Sequence, residues 1–347
     1  MVPVAVGESP GVLAVVVRGG RVESVHLGHL VVLRPDGAVV LAVGDPDATI
    51  WPRSAVKPVQ AVAMLRAGLE IDDEGLALAC ASHSGTPEQV QGVRAILARA
   101  GLGEGDLQNT PGLPLDADAS FAWRSSGVGA ASVTQSCSGK HAAMLATCVR
   151  NGWDAVTYRD PDHPLQRAVR DTLAALTGEA VEDVTVDGCG ASLFSTTVMG
   201  LARAFGRIAA AEAEPGRDDA AARVARAMAA HPWLVGGPGR DVSRFMAAVP
   251  GLIVKDGAEG GYAAGLPDGS AIAFKVADGS GRPRAAILAA ALEVLWRQDW
   301  RAAPPDAVAA ARAVGEVPVL GHGLPVGRVL AVLGDEPGRR PEIGTQW

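Results

Sequence analysis

Arg53-Ser54-Ala55-Val56-Lys57-Pro58 sets a serine and a lysine three residues apart at the mouth of an apolar run, and the rest of the chain is read by how it serves that pair. If the run from Ser54 to Gly68 is helical, residues at i and i+3 share a face with Cβ atoms about 5–6 Å apart, which makes the hydroxyl and the amine hydrogen-bond neighbours. Val56, Val59, Val62, Ala63 and Leu65 recur at near-helical spacing, and Gly68 is placed to end the helix. Pro58 pushes Lys57 away from α geometry, so a distorted or 3₁₀ first turn is expected. A lysine that is desolvated or close to another cation can be neutral and take a serine proton, so such a dyad needs no histidine. For one S-x-x-K string the plain alternative is a cap and a surface lysine.

Working outward, the 347 residues suit one extended domain or two fused lobes. Hydrophobic residues make up 48% and charged residues 20%, enough for a sizeable core and too apolar for a disordered chain. A net charge of -7 without a basic block leaves no footprint for nucleic acid or an anionic membrane, so the expected partner is a small molecule. The apolar stretch Met1 to Val17 has no Lys or Arg ahead of it, unlike a secretory signal, and no apolar run reaches the roughly 20 residues of a membrane span. The four cysteines, Cys80, Cys137, Cys148 and Cys189, show no framework spacing. They fit a reducing cytoplasm, with thiols free or bound to metal.

Residues 11 to 45 read as a β-meander turned at Pro35-Asp36-Gly37. Leu76 to Ala81 is a short apolar run leading into Ser82-His83-Ser84-Gly85, and helices are expected over 88–100, after Lys140-His141, and to about Leu176 behind the cap at 160–164. Residues 105 to 134 read as an irregular connection. Val184-Thr185-Val186 is strand-like and delivers Asp187-Gly188-Cys189-Gly190. Helices then follow over about 197–213 and 218–230, separated by 214–217, and the glycine-rich loop at 236–240 precedes another. Its glycines do not follow the dinucleotide-binding order. Ile253 to Lys255, Gly261 to Leu266 and Ala271 to Val276 read as a hairpin array, followed by a helix from Arg284 to Trp296. The tail to Trp347 carries no identifiable chemistry.

Several polar groups stand where they can serve the pair. Ser82-His83-Ser84 is a polar turn or a second proton-relay element. Lys255, at the end of an apolar strand, is an edge gatekeeper or a buried ammonium that depresses Lys57 or pairs with Ser82, and Lys275 sits in a similar context. Cys137 and Lys140 stand at a helix start, where the macrodipole favours a thiolate and a neutral amine. Cys189 lies between two glycines, and spacing alone suggests His141 as a third metal ligand.

Taken together and in order, Arg53-Ser54-x-x-Lys57-Pro58, Ala81-Ser82-His83-Ser84, Cys137-Ser138-Gly139-Lys140-His141 and Asp187-Gly188-Cys189-Gly190 resemble the Rhizobium-type L-asparaginases, the asparaginase II family. The segment 18–26 and His231-Pro232 with Gly236-x-x-Gly239-Arg240 look like the same family's patterns, so the resemblance runs from about residue 18 to 296. It implies an α+β fold, an antiparallel sheet flanked by helices, similar to serine β-lactamases and serine glutaminases. It also implies a bacterial, cytoplasmic homodimer with one catalytic unit over 1–347, hydrolysing L-asparagine through an acyl-enzyme. By position, Ser54 matches the nucleophile and Lys57 its base, while Ser82 and Lys255 match a second pair on the Val254-Lys255-x-Gly257 context, with Lys275 as runner-up. Cys137, Lys140 and Cys189 match a zinc site with water as fourth ligand, and Arg53, His141 and Asp187 are candidates for the substrate's α-carboxylate and α-amine. Ser192 follows Gly190-Ala191 where the family often has proline, which bears on loop rigidity. The rival readings are a β-lactamase or penicillin-binding enzyme, a glutaminase, and a non-catalytic amino-acid or zinc-binding protein. The first is disfavoured by the missing export signal, by Ser82-His83-Ser84 in place of Ser-x-Asn, and by the absence of Lys-Thr-Gly.

Overall fold

The computed structural model describes residues 9–213, 216, 218–298 and 304–333. The meander expected over 11–45 is present as β1 (Gly11–Arg18), β2 (Arg21–Leu33) and β3 (Val39–Val43). Its second turn closes as read, with Gly37 at φ 81 and its N–H on the Arg34 carbonyl. β2 is long enough to serve two neighbours. Its first half pairs antiparallel with β1, and its second half lies between β3 and the later strand β10.

Short strands β4 (Thr49–Ile50), β5 (Val184–Val186), β6 (Ser192–Phe194) and β7 (Thr196–Thr197) form two small ribbons, β4 with β7 and β5 with β6. The hairpin array follows as β8 (Ile253–Asp256), β9 (Gly261–Gly265) and β10 (Ala271–Val276). The last strands are β11 (Pro318–Gly321) and β12 (Leu324–Ala331). The main sheet is antiparallel in the order β11-β12-β1-β2-β10-β9-β8, with β3 also on β2. The expected α+β fold, an antiparallel sheet flanked by helices, is the one observed.

The helices are α1 (Lys57–Arg66), α2 (Asp73–Ala79), α3 (Pro87–Arg99), α4 (Ala117–Ser125), α5 (Ser138–Asn151) and α6 (Pro164–Thr177). They continue with α7 (Val198–Ala210), α8 (Asp219–Ala230), α9 (Pro232–Val235), α10 (Asp241–Ala248), α11 (Arg284–Gln298) and α12 (Pro305–Gly315). Leu30 to Leu33 are buried at consecutive positions, so both faces of the sheet are covered there; α7 and α11 pack on it, and Leu201, Phe205, Ile287 and Leu288 of those helices are buried. The helices around α1, α2, α3 and α5 pack mainly on each other. Their junction with the β8 edge of the sheet is where the polar residues gather.

Two expectations change. The connection over 105–134 contains α4, started by the Asp116 carboxylate accepting the Ala119 N–H at 2.8 Å. No residue of α4 is buried, so there is no apolar period to read. The tail, to which no element was assigned, supplies α12 and the hairpin β11–β12, with Val329 opposite Val16 of β1. That hairpin turns on His322 and Gly323, both at positive φ, the requirement of a tight two-residue turn. The apolar start before Ser9, positions 214, 215 and 217 of the expected helix break, and the tail beyond 333 lie outside the described residues. Among the described residues no helix is long and apolar enough to cross a membrane.

Candidate active site

The expected single helix over 54–68 is split. Arg53–Val56 forms a 3₁₀ turn and α1 begins at Lys57, with Pro58 in the first helical turn. Proline is tolerated there because its missing N–H has no intrahelical partner, and Lys57 keeps helical angles, φ −56 and ψ −37, despite preceding it. Arg53, just before the serine, lies in the left-handed region at φ 52, which costs a non-glycine residue about 1–2 kcal/mol. Residues i and i+3 eclipse in a 3₁₀ turn, so Ser54 and Lys57 do share a face. The Lys57 N–H donates to the Ser54 carbonyl, but no hydrogen bond joins the two side chains. Lys57 is fully buried, and its amine takes the nearest acceptors, the Ala81 carbonyl at 2.5 Å and Ser82 Oγ at 3.3 Å.

Ser82 is the hub. Its Oγ also accepts from Lys255 Nζ at 2.8 Å, and Lys255, at the end of β8, is fully buried. The same Nζ donates to the Asp256 carbonyl at 2.8 Å and to Asp256 Oδ1 at 2.5 Å. Burial pushes the Lys255 amine down to about 8; Asp256 opposes the shift and the Lys57 charge adds to it. Lys275 lies elsewhere, half-buried on β10 with its amine on the carbonyls of Glu259 and Val276. Gly257 explains the K-x-G spacing. A Cβ there would collide with the Pro52 carbonyl oxygen, so only glycine lets the end of β8 close on the Ser54 turn. Gly139 acts alike at the start of α5, where a Cβ would strike the Leu78 carbonyl oxygen of α2.

The His83 side chain makes no hydrogen bond to Lys57, Ser82 or Lys255. Its Nδ1 accepts the Gly85 N–H at 3.1 Å and its Nε2 meets Ser138 Oγ at 2.8 Å, and burial with the Lys57 charge pushes it down to about 3. It is a neutral brace between two segments of the site. His141 is likewise buried, held well below its ordinary value by burial and the Lys140 charge, with Nδ1 2.6 Å from the Tyr158 hydroxyl. Its Nε2 is buried and has no partner among the described residues.

Arg53 Nε donates to Asp187 Oδ1 at 2.5 Å, which ties the Ser54 turn to the loop after β5. Burial pushes the Asp187 carboxyl up, but the Lys140 and Arg53 charges outweigh it and hold it below the usual range. The Arg53 Nη groups make no hydrogen bond among the described residues and remain free for a carboxylate.

Cys137, at the N-terminus of α5, packs on Cys189 and Ala191, and Lys140 Nζ lies 3.2 Å from Cys189 Sγ. The neighbouring Cys189 thiol, which donates to Asp187 Oδ2 at 3.7 Å, pulls Cys137 well below the ordinary thiol range against its burial, and the same pairing pushes Cys189 up. Burial opposes the Lys140 charge, but Cys189, Cys137 and Asp187 outweigh it and push the amine up. Among the described residues no three His, Cys, Asp or Glu side chains converge, so a metal here needs the lysine as a ligand. The donor set fits. Bond lengths of about 2.3 Å to sulfur and 2.0–2.1 Å to nitrogen put tetrahedral N and S ligands roughly 3.6 Å apart, near the observed spacing.

Of the ten site residues expected from the sequence, eight fall into three groups, Lys57–Ser82–Lys255, Arg53–Asp187 and Cys137–Lys140–Cys189, while the Ser54 hydroxyl makes no hydrogen bond among the described residues and His141 pairs with Tyr158. A surface groove of about 600 Å³ lined by Arg34, Arg203, Arg207 and Asp268 contains none of them. Asp256, Arg240 and Arg284 were not expected to share one cluster. Asp256 Oδ2 takes Arg240 Nη2 at 2.7 Å and Arg284 Nη1 at 3.1 Å. One sequence signal bears on the whole site. The chain has only four lysines, Lys57, Lys140, Lys255 and Lys275, and the first three are buried. Arginine carries most of the cationic charge of the surface.

A family model described as L-asparaginase II matches residues 14–331. No curated protein matches the chain. Among solved structures it is similar to Mglu in its native form, at 14% identity and a TM-score of 0.39, covering 83% of this chain and 63% of that one, so the chain spans under two thirds of that relative's length. A β-lactamase from Mycobacterium bovis matches at 15% identity and 0.40, over 73% of this chain and 88% of that one. A Bacillus subtilis glutaminase in covalent complex with 5-oxo-L-norleucine matches at 15% identity and 0.33, over 72% and 80%. All three are distant likenesses.

Proposed function

Since the chain belongs to the L-asparaginase II family and is an amidohydrolase, we propose that it hydrolyses L-asparagine to L-aspartate and ammonia through a Ser54 acyl-enzyme. The observation that carries this reading is Ser82 Oγ held between the buried amines of Lys57 and Lys255, with Ser54 one 3₁₀ turn before Lys57.

In the first step neutral Lys57 takes the Ser54 proton as Oγ attacks the side-chain amide carbon, and the carbonyl π pair moves to oxygen, where backbone N–H groups hold it. The Lys57 amine reaches Ser54 by rotation of its stem away from the Ala81 carbonyl; such bonds commonly tighten only once substrate is bound. When the tetrahedral intermediate collapses, the C–N bond breaks and the nitrogen leaves as ammonia with the proton relayed from Lys57 through Ser82. Water then attacks the β-aspartyl ester, gives its proton to the same relay, and frees aspartate and the Ser54 hydroxyl. The free Nη groups of Arg53 suit the substrate's α-carboxylate, Asp187 its α-ammonium, and the unpartnered His141 Nε2 a further polar contact. Cys137, Lys140 and Cys189 would hold zinc, which when bound supplies a fixed positive charge beside the substrate's polar end.

A coupled ammonia assay on asparagine and glutamine tests this. The wild type is expected to release ammonia from asparagine faster than from glutamine, and Ser54→Ala to release none. Turnover that persists in Ser54→Ala removes the acyl-enzyme, and a wild type inert on both amides favours a binding protein.

A further inference from the structure

The Asp256 carboxylate makes more charged contacts than any other group near the proposed relay. Its Oδ1 accepts Lys255 Nζ at 2.5 Å, while Oδ2 accepts Arg240 Nη2 at 2.7 Å and Arg284 Nη1 at 3.1 Å. Arg284 is in turn held by Asp241 Oδ1 at 3.2 Å through its other Nη and lies over the Tyr262 ring at 5.4 Å. With one oxygen on the lysine and the other on two guanidinium groups, the carboxylate has no free rotation. Lys255 Nζ has three acceptors, Ser82 Oγ, the Asp256 carbonyl and Asp256 Oδ1, which matches the three donors of an ammonium. An ammonium donating to Ser82 Oγ, with Lys57 Nζ donating to the same oxygen from 3.3 Å, leaves the Ser82 hydroxyl proton free to point toward the leaving nitrogen. The direction of the proton path through Ser82 is then set from the Lys255 end.

We propose that Asp256, clamped by Arg240 and Arg284, is a positioning residue that fixes Lys255 as the cationic end of the Ser82 relay. It touches neither the proposed nucleophile nor the residues assigned to the substrate's α-groups, and it acts only through Lys255. The charged and titratable groups around Lys255 are Asp256 on its own strand, Lys57 from α1, Cys80 just after α2, Arg240 just ahead of α10 and Arg284 at the start of α11. From α8, Val224, Ala227 and Met228 are buried. Burial and the Lys57 and Arg240 charges push the Lys255 amine down, and Asp256 is the one group that holds it up.

The inference rests on the serine–lysine reading of the site, and the test separates the two. kcat and KM for L-asparagine are measured from pH 6 to 10 in the wild type, Asp256→Asn and Arg240→Gln, with folding checked by circular dichroism. The wild-type alkaline limb of kcat is expected near the Lys255 value of about 8. Removing the carboxylate moves it down by at least about one unit, which lowers kcat at pH 8 about fivefold, with KM nearly unchanged. Removing the Arg240 cation moves the limb up instead. Should Asp256→Asn not fold, the Arg240→Gln arm decides alone. A limb that stays in place, including a kcat that falls equally at every pH, overturns the proposal in an active, Ser54-dependent enzyme. A wild type without amidase activity, or a Ser54→Ala variant that keeps it, overturns the underlying reading and the proposal with it.

Discussion

Replacing Gly257 with alanine tests whether the close approach of β8 to the Ser54 turn holds the site together. The added Cβ meets the Pro52 carbonyl oxygen, and at 3.4 Å the Ala55 nitrogen, both backbone atoms of the turn that carries Ser54. No side-chain rotation relieves a clash with backbone, so strand and turn must separate by about 1 Å to regain a normal non-bonded distance. Lys255 lies two residues away on the same strand, and the shift carries its amine away from Ser82 by a similar amount. A displacement of about 1 Å costs on the order of 100-fold in rate, and overpacking of this kind costs about 1–3 kcal/mol of stability. The assay is kcat by coupled ammonia release beside urea unfolding. Gly129→Ala serves as the control, since a Cβ there meets nothing within 4 Å, and is expected to change neither. A Gly257→Ala enzyme with kcat within about threefold of wild type refutes the argument.

Other variants read the remaining contacts. Arg53→Gly and Arg53→Ala both lose the Asp187 ion pair and should raise KM; glycine also relieves the positive φ, so urea unfolding should find it more stable than alanine by about 1 kcal/mol. Asp256 is buried, which pushes its carboxyl up, but Lys255, Arg240 and Arg284 outweigh burial and hold it far below its unfolded value. Its contribution to stability is therefore present above the unfolded carboxylate range near pH ~3.9 and fades as pH falls toward the folded value. Asp256→Asn should cost about 3 kcal/mol at pH 7 and progressively less below pH ~3.9, as read by urea melts against pH; a pH-independent difference would contradict the ion cluster. Metal analysis should find zinc in the wild type and its loss in Cys137→Ser, Cys189→Ser and Lys140→Met, whereas retention in all three places any metal elsewhere. Light scattering should give the mass of a dimer, as the family resemblance implies, and a monomeric mass excludes it.

Much of the site was legible because its motifs are local. Ser54-x-x-Lys57 stayed on one face even though Pro58 converted the first turn to 3₁₀, since i and i+3 remain neighbours in either helix. Cys137 and Lys140 fell three apart at a helix start, as the apolar period behind them implied. Asp187-Gly188-Cys189 arrived at a strand end because β-branched residues precede it. The exposed helix α4 and the β11–β12 hairpin were missed, the first for want of a buried face and the second because its register depends on β1, some 300 residues away in sequence.

Composition and motif spacing establish which residue types are scarce and where they stand: four lysines, two of them near the ends of apolar strands, and two serines in polar turns beside apolar runs. Only the tertiary structure decided their pairing. Lys57 leaves Ser54 for Ser82 because a buried amine takes the nearest acceptors, and those come from the end of α2. Lys255 and Lys275 have near-identical local contexts. β8 lies at the sheet edge against the Ser54 turn, whereas β10 runs between β2 and β9, so only the first amine reaches the site. Strand periodicity assigns a side chain to a face, but its neighbour across that face belongs to another part of the chain, and only packing brings the two together.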